Sequence, residues 1–174
     1  MSEPTYNLFF TGKDDPRNCV VIGEDTKPVF FSFETFQRDQ VSTRTIVSSV
    51  TRGKDLIASL EWSPGNQLGM VNIGTRQLFM SQLVQPGSSS HVRNFVSSSD
   101  GRTYEWRRSY SDTSSYTLFL LPNNIQIATF QKMNTQTVVG PSHALLQYHF
   151  AHDPLLLEAI LSLCLFRWID LHGM

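Results

Sequence analysis

Residues Asp153 to Met174 read DPLLLEAILSLCLFRWIDLHGM, the most apolar run in the chain. Any fold of this sequence has to house it. A helix that spans a bilayer needs about 20 mainly apolar residues, but Glu158, Arg167 and Asp170 interrupt this one and leave only Ala159 to Phe166 free of charge. The segment still carries helix signals, with Asp153 as a cap, Pro154 in the first turn and Gly173 as a stop. At 3.6 residues per turn, Leu155, Leu156, Leu157, Ile160, Leu161, Leu163, Leu165, Phe166, Trp168 and Ile169 point in nearly every direction, and Glu158 and Ser162 form one short polar stripe. A helix apolar on all sides has to be surrounded. The sequence predicts a core helix over 154–171, about 27 Å long, and no transmembrane segment.

The surrounding material lies upstream. Between Tyr6 and Phe150 the chain alternates short β-type runs with turn residues: YNLFF, CVVI, VFFSFE, TRTIVSSV, DLIASLEW, GMVNI, RQLFMSQL, HVRNFVS, TYEWRRS, YTLFLL, QIATFQ and ALLQYHF. Breaks such as Pro64-Gly65, Pro86-Gly87, Asp100-Gly101 and Gly140-Pro141 separate them. About twelve strands joined by hairpins, followed by one apolar helix, fit a closed antiparallel β-barrel, which removes sheet edges and encloses the helix. The fold class is mainly β with one helix, in a single domain over 1–174.

One hairpin has a readable register. Taking Asp100-Gly101 as a two-residue turn in NFVSSSDGRTYEWRR sets Ser97 against Tyr104, Phe95 against Trp106 and Arg93 against Arg108. Phe95, Tyr104 and Trp106 then share the inner face, where an aromatic cross-strand pair contributes about 0.2 to 1 kcal/mol. Arg93 and Arg108 share it too, and like charges placed opposite each other destabilise a sheet. Relief comes from a position at the barrel mouth facing an anion, from an internal acid such as Glu61 or Glu158, or from a register shift. The barrel mouth is the favoured expectation.

Composition narrows the function classes. Fourteen basic side chains stand against 15 acidic ones in 174 residues, and 40% of residues are hydrophobic, which describes a globular chain with no electrostatic case for a nucleic-acid partner. The start, MSEPTYNLFFTGKDDP, lacks a signal-like apolar core, and Cys19 and Cys164 are the two cysteines. A cytoplasmic, disulfide-free protein is expected.

No reaction is spelled out. His149, His152 and Asp153 are close in sequence but lack a third ligand cluster, and Asp153 is already assigned as a cap, so no metal site is expected. Serines abound, as in Ser88 to His91, without a Gly-x-Ser-x-Gly elbow. Cys164 lies mid-helix among Leu and Phe, and Cys19 starts a strand, so neither is read as a nucleophile. Glu61 and Glu105 alternate with aromatics and are expected to face outward. No phosphate loop or dinucleotide fingerprint occurs, and no cofactor is expected.

Four segments together, IASLEW (Ile57 to Trp62), SDGRTYEWRR (Ser99 to Arg108), IATFQ (Ile127 to Gln131) and LLLEAILSLCLF, resemble a fungal domain family of unknown function in the tubby C-terminal-like superfamily. Asp100-Gly101-Arg102 followed by Tyr104 and Trp106 is the most specific element. The resemblance implies a twelve-stranded barrel threaded by a hydrophobic C-terminal helix. Within that superfamily tubby proteins bind phosphoinositide headgroups and scramblase-like relatives act at membranes. The headgroup-binding positions of tubby proteins find no match here, and the residues after the helix, Leu171-His172-Gly173-Met174, differ from the basic tail of the family pattern.

Charge placement supplies the remaining clue. Residues 71 to 110 hold Arg76, Arg93, Arg102, Arg107 and Arg108 against Asp100 and Glu105, and the planar fork of arginine suits phosphate. The sequence supports a non-catalytic binding module in which these five arginines meet an anionic lipid headgroup at a membrane surface. One alternative is a protein-interaction or structural scaffold whose loops meet a protein partner. Another is a carbohydrate-binding protein using Tyr110 and Tyr116.

Overall fold

The computed structural model describes residues 4–24, 28–37, 39, 42–51, 53–151 and 153–174. Thirteen strands form one antiparallel sheet: β1 (Tyr6–Phe10), β2 (Cys19–Gly23), β3 (Phe30–Gln37), β4 (Thr43–Ser49), β5 (Asp55–Ser63), β6 (Gln67–Ile73), β7 (Arg76–Phe79), β8 (Gln85–Pro86), β9 (Val92–Val96), β10 (Thr103–Arg108), β11 (Tyr116–Leu120), β12 (Ile125–Thr137) and β13 (Gly140–Tyr148). Helix α1 (Asp153–His172) follows them. In space the order is β7-β6-β5-β4-β3-β2-β1-β13-β12-β11-β10-β9-β8. Two meanders are thus joined by the pairing of β1 with β13, in which Leu8 faces Leu146.

The sheet curls around α1. Alternate residues of each strand point inward, including Leu8 and Phe10 of β1, Leu60 and Trp62 of β5, Phe95 of β9, Trp106 of β10 and Leu146 and Tyr148 of β13, and they join the helix in one core. Strands β10 and β11 and the β5–β6 turn bond to the helix. The Trp106 indole donates to the Ala159 carbonyl at 3.1 Å, Tyr116 donates to Asp170, and the Trp168 indole donates to the Asn66 carbonyl. Gly173 adopts φ +65°, and the Met174 N–H returns to the Ile169 carbonyl at 3.2 Å, the bonding pattern by which a glycine closes a helix.

Closure stops short of a barrel. The edges β7 and β8 do not pair, and the sheet is open between them. RQLFMSQL, expected as one strand, divides into β7 and a single 3-10 turn at Met80–Gln82. Met80, Leu83 and Val84 are buried in the resulting gap. Polar side chains complete the seam: Ser162 donates to the Leu83 carbonyl at 2.6 Å and Arg93 to the Val84 carbonyl at 3.2 Å. The thirteenth strand is the two-residue β8, where Pro86 sits on a sheet edge as its missing N–H requires.

The β9–β10 register differs from the expected one by two residues. Phe95 faces Tyr104 and Arg93 faces Trp106. The turn is longer than Asp100-Gly101, because the Ser97 N–H bonds the Arg102 carbonyl and the Gly101 N–H bonds the Ser97 carbonyl. Its shape is set from a distance, since Glu158 of the helix accepts from the Ser97 hydroxyl at 2.7 Å and from the Ser98 N–H at 3.1 Å. A shift of two keeps the same side chains inside, so Phe95, Tyr104 and Trp106 are all buried. It also removes the Arg93–Arg108 opposition.

Candidate functional site

A concavity of about 670 Å3 opens where α1 ends. The β1–β2 loop contributes Gly12, Lys13 and Asp14, the ends of β10 and β11 contribute Arg108 and Tyr116, β12 contributes Phe130, Lys132 and Met133, β13 contributes His143, and the last turn of α1 contributes Arg167, Asp170 and Leu171. Gly12 is required by its surroundings, since a Cβ there would lie 2.5 Å from the Asn18 carbonyl oxygen. That close approach folds Lys13 toward the cleft.

Two carboxylates and four permanent cations line the cleft. Asp170 is occupied: its Oδ1 lies 2.6 Å from Arg108 Nη1, and its Oδ2 accepts from the Tyr116 hydroxyl at 2.7 Å. Burial, reinforced by that bond to Asp170, pushes the Tyr116 hydroxyl above the usual phenol range. The remaining cations, Lys13, Lys132 and Arg167, share the cleft with Asp14 but form no ion pair among the described residues. Arg167 is half-buried and its guanidinium lies 4.8 Å from the centre of the Phe130 ring, a cation–π contact that fixes the group without neutralising it. Asp112 stands near the rim. Bonds from Ser114 and Ser115 hold its carboxyl at about 2, with a smaller contribution from Lys132.

The five arginines singled out in the sequence are dispersed. Only Arg108 lines this cleft, and it is committed to Asp170 and to the His91 ring at 3.1 Å. Arg93 is bound to a seam carbonyl. Arg107 pairs with Glu105 at 2.7 Å and covers the Phe119 ring at 4.0 Å. Arg102 is exposed beside the Asp100 turn. Arg76 lies 3.4 Å from Glu158 across the seam, beside a cavity of about 360 Å3. The relief expected for Arg93 and Arg108 comes from register and from Asp170, an acid not considered beforehand.

Other candidates also find places. Glu61 pairs with Arg44 at 2.8 Å. Tyr110 is exposed, but Tyr116, expected as its exposed companion, is buried under Asp170. His149 bonds the Gln126 carbonyl, while His152 lies outside the described residues. Among the described residues no group of three metal-ligating side chains comes together, and no helix is long and apolar enough to cross a membrane. Burial pushes the Cys19 thiol up to about 12 and the Cys164 thiol higher still, which leaves neither as a nucleophile near neutral pH.

Sequence reasoning missed Lys13, Lys132 and Arg167, which come from three distant elements. One signal was available: no carboxylate occurs between Asp112 and Asp153, and this acid-free stretch forms one wall of the cleft. A family model described as "Family of unknown function (DUF6593)" matches residues 14–169. No curated protein and no solved structure matches the chain.

Proposed function

The chain belongs to this family of unknown function, and from the geometry we propose a non-catalytic binding module that takes an anionic, phosphorylated lipid headgroup in the cleft at the end of α1. The observation that carries the reading is Arg167, held against Phe130 and sharing the cleft with Lys13 and Lys132, with no ion pair to a carboxylate among the described residues. A planar guanidinium with two ammonium groups is a phosphate-binding set. A curled antiparallel sheet around a C-terminal helix agrees with the tubby-like resemblance, and a membrane-peripheral cytoplasmic protein of fungal type is the setting we favour. The carbohydrate alternative loses support with the burial of Tyr116. A protein-partner reading draws on the unpaired β7 edge, where Phe79 is 61% exposed.

Titration with soluble inositol trisphosphate at low and physiological salt tests the reading. Binding should weaken at least tenfold in Arg167→Gln and in Lys132→Gln, with the melting temperature unchanged. Arg93→Ala, remote from the cleft, should bind as the wild type does. Undetectable binding by the wild type, or equal binding by all variants, rejects the cleft as a headgroup site.

A further inference from the structure

The β12–β13 hairpin outruns its neighbours. Pairing of β11 with β12 ends at Tyr116 and Phe130, and pairing of β1 with β13 ends at Phe10 and Ala144. Beyond those points only the two strands of the hairpin face each other, through Thr135–Ser142, Gln136–Pro141 and Thr137–Gly140. Beyond the Lys132–Ala144 pair, at about 3.3 Å per residue, the strands Met133 to Thr137 and Gly140 to His143 give a free ribbon of roughly 15 Å. A lone two-stranded ribbon is marginally stable in water, so the fold gains little from it.

Its tip is chemically odd. A two-residue hairpin loop ordinarily carries Asn-Gly or Asp-Gly, whereas this one carries Val138-Val139, exposed by 94% and 48%. The turn is held locally: the Thr137 hydroxyl donates to the Gly140 carbonyl at 2.6 Å, the Val139 N–H donates to the Thr137 hydroxyl at 3.3 Å, and Gly140 takes up φ +121°. Two β-branched apolar side chains are thus displayed to solvent on a stapled turn. Neither joins the hydrophobic core of the described residues, and a local rule broken without structural gain points to function.

The base of the ribbon carries the opposite chemistry. Lys132, Met133 and His143 line the cationic cleft with Lys13 and Arg167, and the ribbon itself, residues 131–143, holds no carboxylate. Met133 and Leu171 add exposed apolar surface beside these cations, at 44% and 58%. An apolar tip on a ribbon whose base lines a cleft with four cations against two carboxylates is complementary to one surface, an anionic bilayer, where apolar groups enter to about 5–10 Å and cations stay among the phosphates.

We infer that the β12–β13 hairpin is a membrane-insertion wedge, whose Val138-Val139 tip enters the acyl boundary of an anionic bilayer while Lys13, Lys132 and Arg167 hold its headgroups. This rests on the headgroup reading of the cleft and adds the bilayer interior as a second contact. The test uses the full chain with Val138→Cys carrying an environment-sensitive fluorophore, since Cys164 is buried and the Cys19 thiol is held protonated. The vesicles are phosphatidylcholine alone, phosphatidylcholine with phosphatidylserine, and the latter with phosphatidylinositol phosphates. The label should shift to the blue with the two anionic sets. Val138→Asp with Val139→Asp should weaken vesicle binding at least tenfold, about 1.4 kcal/mol, without changing affinity for soluble inositol trisphosphate. An unshifted label at saturating anionic lipid, or undiminished vesicle binding by the double variant, overturns the wedge and leaves the hairpin as a protein-docking or inert element. If the hairpin variant loses vesicles while Arg167→Gln and Lys132→Gln keep them, the wedge stands and the cleft reading falls.

Discussion

Glu158 accepts a hydrogen bond from the Ser97 hydroxyl at 2.7 Å, across 61 residues of sequence. The same carboxylate takes the Ser98 N–H at 3.1 Å and faces Arg76 at 3.4 Å, so one helical residue, 2% exposed, links both sides of the open seam. Glu158→Ala leaves a turn N–H and a hydroxyl short of a partner and should cost about 2 to 4 kcal/mol. Arg76→Ala, removing the more exposed partner, should cost at most about 1 kcal/mol. Urea unfolding of the two variants checks the difference, and equal costs contradict it.

Leu161 is fully buried at the middle of α1. Leu161→Ala should cost about 2 to 5 kcal/mol through the cavity it leaves, and Leu161→Asp should prevent folding, because a carboxylate without a partner would sit in an apolar site. Solubility on expression and the far-ultraviolet dichroism melt read both. A cooperatively folding Leu161→Asp protein contradicts an enclosed helix.

Arg108 and Asp170 are 17% and 15% exposed at their side chains. A double-mutant cycle with Arg108→Ala and Asp170→Ala should return a coupling energy of about 1 to 3 kcal/mol. Stability should therefore fall in Arg108→Ala, whereas the like-charge pairing read from the sequence called for no loss. Chemical denaturation of the four proteins measures it.

The Cys19 thiol, donating to the Pro16 carbonyl at 3.8 Å, has its ionisation pushed from 9.0 up to about 12 by burial. A raised value favours the protonated form in the folded state, so the stabilisation is complete below pH 9 and disappears as pH rises toward 12. Thiol titration with an aromatic disulfide at pH 8 should show negligible reaction in the native protein and two reactive thiols after unfolding. Cys19→Ser should reduce the loss of stability between pH 9 and 11, the remainder coming from Cys164 and the buried tyrosines, whose ionisation is also raised by burial.

Local pattern made most of the wall and plug legible. The helix extends one residue beyond each expected end, and each expected strand run overlaps a real strand, with RQLFMSQL only half strand, because two-residue alternation and an all-round apolar helix are properties of single segments. What escaped was set by distant partners. The turn at Asp100 is reshaped by Glu158, and Arg108 is neutralised by Asp170 near the end of the helix. Strand β8 has only Gln85 and Pro86, too few for a pattern, and the ribbon was hidden because its turn uses Val138-Val139 while the break expected at Gly140-Pro141 lies inside β13. The cleft was invisible because Lys13, Lys132 and Arg167 meet only once β1, β12 and α1 are assembled.

The pairing of β1 with β13 also dictates an order of events. Leu8 finds Leu146 only after every intervening strand has been synthesised, and the helix that fills the core follows still later in the chain. A growing polypeptide carrying β1 to β7 would display Leu60, Trp62 and Val71 with nothing to cover them. Late, non-local closure of this kind slows folding and prolongs exposure of apolar strands. The chain should depend on chaperones during synthesis, and truncation before Asp153 should convert a folding chain into an aggregating one.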